Sequence, residues 1–234
     1  MQMILSHVRR AVDDYNMIAD GDRIAVGVSG GKDSLLTLWA MAELRRFYPK
    51  PFEVEAITLD MGNGLDFSDV ARFCEKLNVN YTIVPTDIFN IVFNERKETH
   101  PCSLCAKMRR GALHEAALRL NCRKAALGHH FDDVVETYML SLFFEGRISC
   151  FQPVTYLDRK DITLLRPLIY VEEDFVRKAA RALSLPIVEN PCPANGYTKR
   201  QEIKELLRTL EKTYPDLRNK IFGAMKRLPL KGWG

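Results

Sequence analysis

The sequence contains no apolar run close to the roughly 20 residues that a bilayer-spanning helix needs. Its first ten residues also lack the apolar core and the cleavage site of a secretory signal peptide. We therefore expect no membrane contact and a cytoplasmic location. In that reducing compartment the six cysteines are not expected to form a disulfide framework, and any that cluster are candidates for metal binding or catalysis.

A strong net charge is also missing, because 34 Lys and Arg stand against 30 Asp and Glu, for a net charge of +4. The basic residues are nevertheless grouped. One group follows residue 105 and the other lies near the end of the chain: Lys107, Arg109, Arg110, Arg119, Arg123 and Lys124, then Lys212, Arg218, Lys220, Lys226, Arg227 and Lys231. Such groups favour a nucleic-acid backbone as partner, although solvated helix faces are the simpler alternative.

Short apolar runs alternate with helical patterns along the chain, with neither internal repeats nor low-complexity segments. Residues 1–19 predict an amphipathic helix. Strands are predicted at 24–28, 54–59, 81–84, 124–128 and 163–165, and helices after 34 and at 67–77, 106–120 and 133–144. The alternation predicts an α/β fold with a parallel sheet covered on both faces. We expect an N-terminal helix at 1–20, a nucleotide-binding domain at 21–170 and a helical region at 171–234 that carries Cys192.

Three polar segments come directly after predicted strands. They are the loop that begins at Ser29, the residue Asp60, and the pair His129-His130. Ligands of open parallel sheets bind beyond the carboxyl ends of the strands. The three segments are therefore expected to meet at one edge of the sheet, with Asp60 bordering a nucleotide pocket.

A glycine-rich loop, Ser29-Gly30-Gly31-Lys32-Asp33-Ser34, lies between the first predicted strand and a helix. Its two glycines allow a sharp turn that points backbone N–H groups at an anion, and the helix N-terminus adds partial positive charge. Lys32 supplies a cation, and the two serine hydroxyls can donate to phosphate oxygens. The alternative is a plain strand-to-helix turn in which Asp33 or Ser34 caps the helix.

Cys102 and Cys105 form a Cys-x-x-Cys pair beside basic residues, a setting that favours thiolates. The pair alone is compatible with a redox disulfide, a zinc site or an iron–sulfur site. No second pair completes a four-cysteine zinc site, whereas Cys192, in a proline-rich segment, is a candidate third ligand. Cys74, Cys122 and Cys150 are expected to be small core residues.

Together these motifs resemble two nested groups of proteins. The glycine loop is similar to that of the PP-loop ATP pyrophosphatases. The complete set resembles, in order, the tRNA 2-thiocytidine biosynthesis family, from about residue 24 to 226: residues 29–34, Pro101-Cys102-Ser103-Leu104-Cys105, Gly128-His129-His130-Phe131-Asp132-Asp133, Leu165-Arg166-Pro167-Leu168, Pro191-Cys192-Pro193 and the helix of residues 200–204. Phe131 departs from the family's pattern, in which Arg stands at this position.

The resemblance implies an enzyme that adenylates and then 2-thiolates a cytidine in a tRNA anticodon loop, with ATP, Mg²⁺ and a 4Fe–4S cluster. By position, the cluster ligands are Cys102, Cys105 and Cys192, and the fourth iron is free to carry sulfide. The implied nucleotide-binding residues are Ser29, Gly30, Gly31, Lys32, Asp33, Ser34, Asp60 and Gly128. The implied catalytic residues are Lys32, Asp33, His129, Asp132 and Asp133, although the last three are also typical of a helix-capping turn.

The expected partners are tRNA, ATP, a sulfide donor such as a cysteine desulfurase and, as an option, a second copy of the chain. The flanking RNA phosphates are expected to contact Lys107, Arg109, Arg110 and Lys199 or Arg200. Three alternatives stay open at this point. They are thiolation of a uridine, a PP-loop ligase that delivers nitrogen, and a zinc or iron–sulfur RNA-binding module that only senses ATP.

Overall fold

The computed structural model describes residues 1–96, 101–189 and 199–227. Within these ranges six strands form one sheet. They are β1 Asp22–Gly27, β2 Phe52–Asp60, β3 Asn80–Pro85, β4 Lys124–Ala126, β5 Val154–Leu157 and β6 Ile162–Leu165. The order across the sheet is β3-β2-β1-β4-β6-β5. All neighbouring pairs are parallel except β5 and β6, which are antiparallel.

Helices cover the sheet, as strand–helix alternation predicts. They are α1 Gln2–Asp14, α2 Lys32–Arg45, α3 Ser68–Lys76, α4 Ile88–Asn90, α5 Pro101–Arg119, α6 Phe131–Glu145, α7 Glu173–Ala182, α8 Lys199–Thr213 and α9 Leu217–Arg227. A π-helical turn, Ile91–Glu95, continues α4, and a 3-10 turn, Asp158–Lys160, joins β5 to β6. No helix in the described ranges is long and apolar enough to span a bilayer.

The site is positioned by a change of direction in the sheet. From β1 the chain continues to β2 on one side, whereas β4 pairs with the other side of β1. This makes the carboxyl ends of β1 and β4 a topological switch point, where open α/β sheets bind their ligands. The predicted parallel sheet is confirmed, and its expected loops follow β1, β2 and β4.

The core joins the sheet to helices from both ends of the chain. Val8 of α1, Leu36 of α2, Val176 of α7, Leu207 of α8 and Phe222 of α9 belong to one buried cluster. A smaller cluster on the other face of the sheet holds α5 through Leu113, Ala116 and Ala117. Helix α2 is buried on nearly every side, which explains why its sequence is apolar all round.

Three element predictions need correction. Helix α1 ends at Asp14 instead of reaching residue 19, because Asn16 adopts a left-handed backbone with φ of +47°. Helix α5 includes residues 101–105, which the sequence analysis placed ahead of the helix. The strand β5 was not predicted, and it adds an antiparallel edge to the sheet.

Candidate active site

The glycine loop is held in shape by its two serines. The Ser29 N–H donates to Ser34 Oγ over 3.0 Å, and the two Oγ atoms are 3.1 Å apart. The Ser34 hydroxyl in turn donates to the Gly31 carbonyl over 2.9 Å. Ser34 therefore closes the loop at the N-terminus of α2, and the predicted phosphate loop has the local structure that its sequence indicates.

Gly30 is required by both its conformation and its surroundings. Its φ is +83°, which favours glycine, and an added Cβ would lie 2.9 Å from Val188 Cβ. The Val188 N–H donates to the Gly30 carbonyl over 3.0 Å. The segment after α7 thus lies directly on the glycine loop and fixes one side of it.

Lys32 is balanced by two carboxylates. Its Nζ lies 3.0 Å from each carboxylate oxygen of Asp33 and 3.5 Å from Glu173 Oε1. Burial alone would lower the pKa of Lys32, but the Asp33 and Glu173 carboxylates outweigh it and raise that pKa above its ordinary value. The Lys32 ammonium is therefore charged at neutral pH.

Glu173 is a site residue that the sequence analysis did not find. It lies in the first turn of α7 and also accepts an ion pair from Lys204 Nζ at 2.6 Å. Burial opposes its ionisation, but Lys204, Lys32 and Arg177 together lower the pKa of Glu173 to about 2. In sequence it belongs to an acidic helix start, and nothing in that pattern pairs it with a lysine 141 residues earlier.

Gly128 follows β4 and allows a close contact between the two site loops. A Cβ there would lie 2.9 Å from the Asp33 carbonyl carbon and 2.9 Å from the Ser34 nitrogen. Glycine is needed because these neighbours are backbone atoms that cannot swing aside. The structure therefore brings the Gly128 turn and the phosphate loop together, as predicted.

The two histidines after Gly128 have different surroundings. His130 is the N-cap residue of α6, and its backbone N–H donates to Asp133 Oδ2 over 3.0 Å. The His130 imidazole Nε2 lies 3.7 Å from Asp33 Oδ1 and 3.5 Å from Asp133 Oδ2, so it links the two turns. His129 instead contacts the Phe151 ring, at 4.8 Å between centroids. Burial, then the charge of Arg166, lower the pKa of His129 to about 4, which makes it neutral at pH 7.

Asp132 and Asp133 connect the turn to the C-terminal helices. Asp132 Oδ2 accepts the Glu173 N–H over 2.7 Å, and its Oδ1 lies 3.2 Å from Arg218 Nη1 of α9. Asp133 Oδ1 lies 3.5 Å from Arg200 Nη1. These contacts give both carboxylates a positioning role, and their direct catalytic role stays a prediction.

Arg200 is engaged on α6, where it also contacts Glu136 and Thr137. This arrangement does not favour the expected contact of Arg200 with an RNA phosphate.

Asp60 ends β2 and stabilises the turn after it. Its Oδ1 accepts the Gly62 N–H over 3.0 Å, and its carbonyl accepts the Thr86 N–H over 2.8 Å. Asp60 lies at the predicted edge of the sheet. That it borders an adenosine pocket stays a prediction.

The cysteine pair lies in the first turn of α5. Cys102 and Cys105 are three residues apart, so both thiols are on the same side of the helix. Helix α5 joins β3 to β4, which are parallel, and therefore runs against the strand direction and begins at their carboxyl edge. Its Leu113 side chain packs against Gly27 at the end of β1. Cys105 is eight residues earlier, about 12 Å along the helix axis.

The part of α5 before Leu113 contains no buried residue, and Cys102 is exposed. The structure thus places the two cysteines beyond the same edge that carries the glycine loop. The other predicted ligand, Cys192, lies outside the described residues. The core placement of Cys74 and Cys122 is confirmed, and Cys150 is half-buried.

A cleft of about 480 Å³ opens at this edge between α5, the end of β4 and the hairpin of β5 and β6. His129 and Arg166 line it together with Arg110, Leu127, Cys150, Phe151, Gln152, Thr155, Leu157 and Leu164. Arg166 is only 6% exposed, and its guanidinium lies over the Phe151 ring at 4.8 Å. The sequence shows Arg166 as a charged residue within an apolar run, but it does not predict that Arg166 lines a cleft.

A parallel sheet whose first strand enters a Ser-Gly-Gly-Lys-Asp-Ser loop defines a nucleotide-binding domain of the PP-loop class. The model of the PP-loop domain family matches residues 4–210. The tRNA-cytidine(32) 2-sulfurtransferase of Geobacter sulfurreducens is 40% identical over 226 residues, which cover 95% of this chain and 88% of the relative. The tRNA-cytidine(32) 2-sulfurtransferase of Geotalea daltonii is 40% identical over 228 residues, which cover 95% of this chain and 90% of that relative. This chain belongs to the tRNA-cytidine(32) 2-sulfurtransferase family, within the PP-loop class.

Solved structures agree with this assignment. The U34-tRNA thiolase NcsA from Methanococcus maripaludis, solved with its [4Fe-4S] cluster, matches with a TM-score of 0.77 and 27% identity. The match covers 95% of this chain and 77% of that one. The NH3-dependent NAD synthetase from Campylobacter jejuni matches with a TM-score of 0.52 and 18% identity, which shows a shared fold alone.

Proposed function

We propose that this chain is an ATP-dependent, iron–sulfur-dependent tRNA sulfurtransferase that converts a cytidine of the anticodon loop to 2-thiocytidine. The names of its relatives give this cytidine as position 32 of the tRNA. The observation that carries the proposal is the placement of the glycine loop and the Cys102–Cys105 pair at one edge of the sheet. An activating reaction and a sulfur-delivering group can then reach the same base.

ATP is the reactant that the glycine loop would hold. The backbone N–H groups around Gly30 and Gly31, the α2 N-terminus and the Lys32 ammonium are suited to bind its β and γ phosphates. The C2 oxygen of the cytosine would attack the α phosphate, forming a C2–O–AMP bond and releasing pyrophosphate. We expect Mg²⁺ to accompany the phosphates, as in phosphoryl transfer generally.

Activation is needed because the C2 oxygen is a poor leaving group until it carries AMP. Hydrosulfide then adds to C2, and the bond from C2 to oxygen breaks with AMP taking the electron pair. The sum is cytidine, ATP and hydrosulfide giving 2-thiocytidine, AMP, pyrophosphate and the proton that the added sulfur loses. Neutral His129, beside the cleft, is placed to accept a proton from the reacting base.

The donor set fits an iron–sulfur cluster. Two thiols on one side of a helix N-terminus, close to the basic residues of α5, favour the thiolate state that iron requires. Val188, which contacts Gly30, is four residues before Cys192, a span of at most about 14 Å of extended chain. We infer that Cys192 is the third ligand. When bound, the cluster would supply iron that can hold inorganic sulfide.

The surroundings of the site suggest its partners. We expect Lys107, Arg109 and Arg110 of α5 to contact tRNA phosphates, since they stand on the turns that follow the cysteine pair. A cysteine desulfurase is the expected source of sulfide. We further propose a cytoplasmic location, a homodimer and a domain division at residues 20 and 170.

The decisive experiment is nucleoside mass spectrometry of tRNA from a strain that lacks the gene. We expect 2-thiocytidine to disappear and to return with the plasmid-borne gene. Uridine thiolation is the second candidate, because NcsA acts on U34. Loss of a thiouridine with 2-thiocytidine unchanged would select that candidate, and no change in any thionucleoside would reject the function. Iron and acid-labile sulfide measured after anaerobic purification would separate a cluster from zinc.

A further inference from the structure

The cleft beside His129 has a positive charge that the described residues do not neutralise. Arg166 and Arg110 both line it, and none of its ten lining residues is an Asp or a Glu. The nearby Cys150 thiol is neutral, since burial raises its pKa to about 12. Buried cations are normally paired with an anion, so this arrangement indicates a missing one.

Arg166 is the fixed part of the arrangement. One of its Nη atoms donates to the Gln152 carbonyl and, over 3.0 Å, to Thr155 Oγ1. Its Nε atom is buried and has no hydrogen-bond partner among the described residues. The His129 Nδ1 atom, on the same cleft, is also buried without a partner there. Leaving such polar atoms unsatisfied is costly, and the Arg166 Nε–H favours a ligand that accepts from it.

The position of the cleft identifies the anion. No residue of the glycine loop, 29–34, lines it, so the cleft is separate from the expected place of the ATP phosphates. Arg110 lies five residues after Cys105, about 7.5 Å further along α5. His129 is adjacent to His130, which contacts Asp33 of the glycine loop. The cleft therefore adjoins both the helix that carries the cysteine pair and the turn that contacts the phosphate loop.

We infer that this cleft binds a phosphodiester of the substrate RNA, at or next to the nucleotide that is modified, with Arg166 and Arg110 as its ligands. The inference rests on the proposed function and adds to it a specific subsite. Arg166 provides a fixed donor against the Phe151 ring, and Arg110 approaches from the exposed side of α5. The base attached to that phosphate is then directed toward the edge where ATP and the cysteine pair meet.

The test pairs protein variants with neutralised phosphates. Anaerobically prepared holoprotein binds a fluorescent anticodon stem-loop RNA in which one loop phosphate at a time is a methylphosphonate. The variants are Arg110→Gln, Arg166→Gln and the charge-preserving Arg166→Lys. Arg181→Gln is the matched control, because it is an exposed arginine in the last turn of α7 and belongs to neither basic group.

We expect Arg110→Gln and Arg166→Gln to weaken RNA binding by about 10- to 100-fold. Each should reduce the slope of log Kd against log salt by about 0.7, the value for one phosphate of a single strand. Arg181→Gln should change neither the affinity for RNA nor the salt slope. One methylphosphonate should weaken binding by the wild type but hardly affect the Arg166→Gln variant. ATP affinity measured without RNA should stay the same in all variants.

The inference would be overturned if each methylphosphonate weakened RNA binding by the wild type and by the variants to the same extent. Weakened ATP binding with unchanged RNA binding would also overturn it and assign the cleft to nucleotide phosphates. If Arg166→Gln does not fold, the exposed Arg110→Gln variant decides the question. RNA that binds with the expected coupling but is never thiolated would reject the proposed function and leave the phosphate site standing.

Discussion

Gly128 lies against the peptide bond that joins Asp33 to Ser34, leaving no room for a side chain between them. A Gly128→Ala substitution should therefore push the glycine loop out of position. Overpacking of this kind costs about 1–3 kcal/mol, and we expect ATP affinity to fall by about 10-fold or more. Calorimetric titration with a non-hydrolysable ATP analogue measures this change in affinity directly.

Gly111→Ala is the control for this change, because a Cβ at Gly111 would meet nothing within 4 Å. Alanine in the middle of α5 should stabilise the protein by up to about 1 kcal/mol and leave ATP affinity unchanged. An equal fall in affinity for both variants would contradict the proposed contact.

Lys32 should contribute directly to turnover of ATP. Lys32→Ala removes a charge-assisted contact to the phosphates, and we expect the rate of AMP formation with tRNA to fall by about 10²–10³-fold. Lys204→Ala removes the other lysine that contacts Glu173 and should change the rate only slightly. Comparable losses in both variants would show that Lys32 acts through Glu173 instead. Formation of ADP and phosphate by the wild type would reject pyrophosphatase chemistry.

The cysteines should separate into two groups by their effect on iron. Cys102→Ala, Cys105→Ala and Cys192→Ala should each abolish a stable cluster, because two thiolates hold a cubane poorly. Cys74→Ala and Cys122→Ala should keep it, since both thiols are buried and burial raises the pKa of Cys74 to about 12. We expect Cys74→Ala to cost about 1 kcal/mol of stability. The iron and acid-labile sulfide content of each variant measures the outcome. If Cys192→Ala kept its iron and sulfide while Cys122→Ala lost them, the ligand assignment would be wrong.

Stability should fall in mildly acidic solution because of His129. Its pKa drops from 6.5 to about 4 in the folded protein, so the unfolded chain binds the extra proton first as the pH falls below 6.5. This group alone should remove about 2 kcal/mol between pH 7 and pH 5. The free energy of unfolding, measured with urea at pH 7 and pH 5, should fall in both wild type and His129→Asn. The fall should be larger in wild type by about 2 kcal/mol. Equal losses would show that His129 is not held neutral.

Much of the fold followed from local signals that tertiary contacts reinforce. The apolar runs at 24–28 and 54–59 form β1 and β2, since a parallel sheet buries both faces of its strands. The glycine loop was recognisable because its function restricts its sequence. Strand β5 was missed, because it is a four-residue edge strand whose pairing with β6 is set by packing around Arg166 and not by a periodic pattern.

The limits of prediction at the site have the same origin. The ion pair of Lys32 with Glu173 and the contacts of Asp132 with α7 and α9 join residues that are 41 or more positions apart. Composition and spacing report local structure, whereas these pairs depend on where α7 and α9 dock. Residues 101–105 belong to α5, whereas the sequence analysis placed the cysteine motif ahead of the helix.

The length of α5 that extends past the sheet has a consequence for survival of the enzyme in air. None of the α5 residues before Leu113 is buried in either core cluster, so we expect the cores to be independent of the cysteine end of this helix. Oxygen that destroys a cluster there should leave a folded protein that still binds ATP. We therefore expect reloading of iron and sulfide to restore the proposed enzyme without new synthesis of the polypeptide.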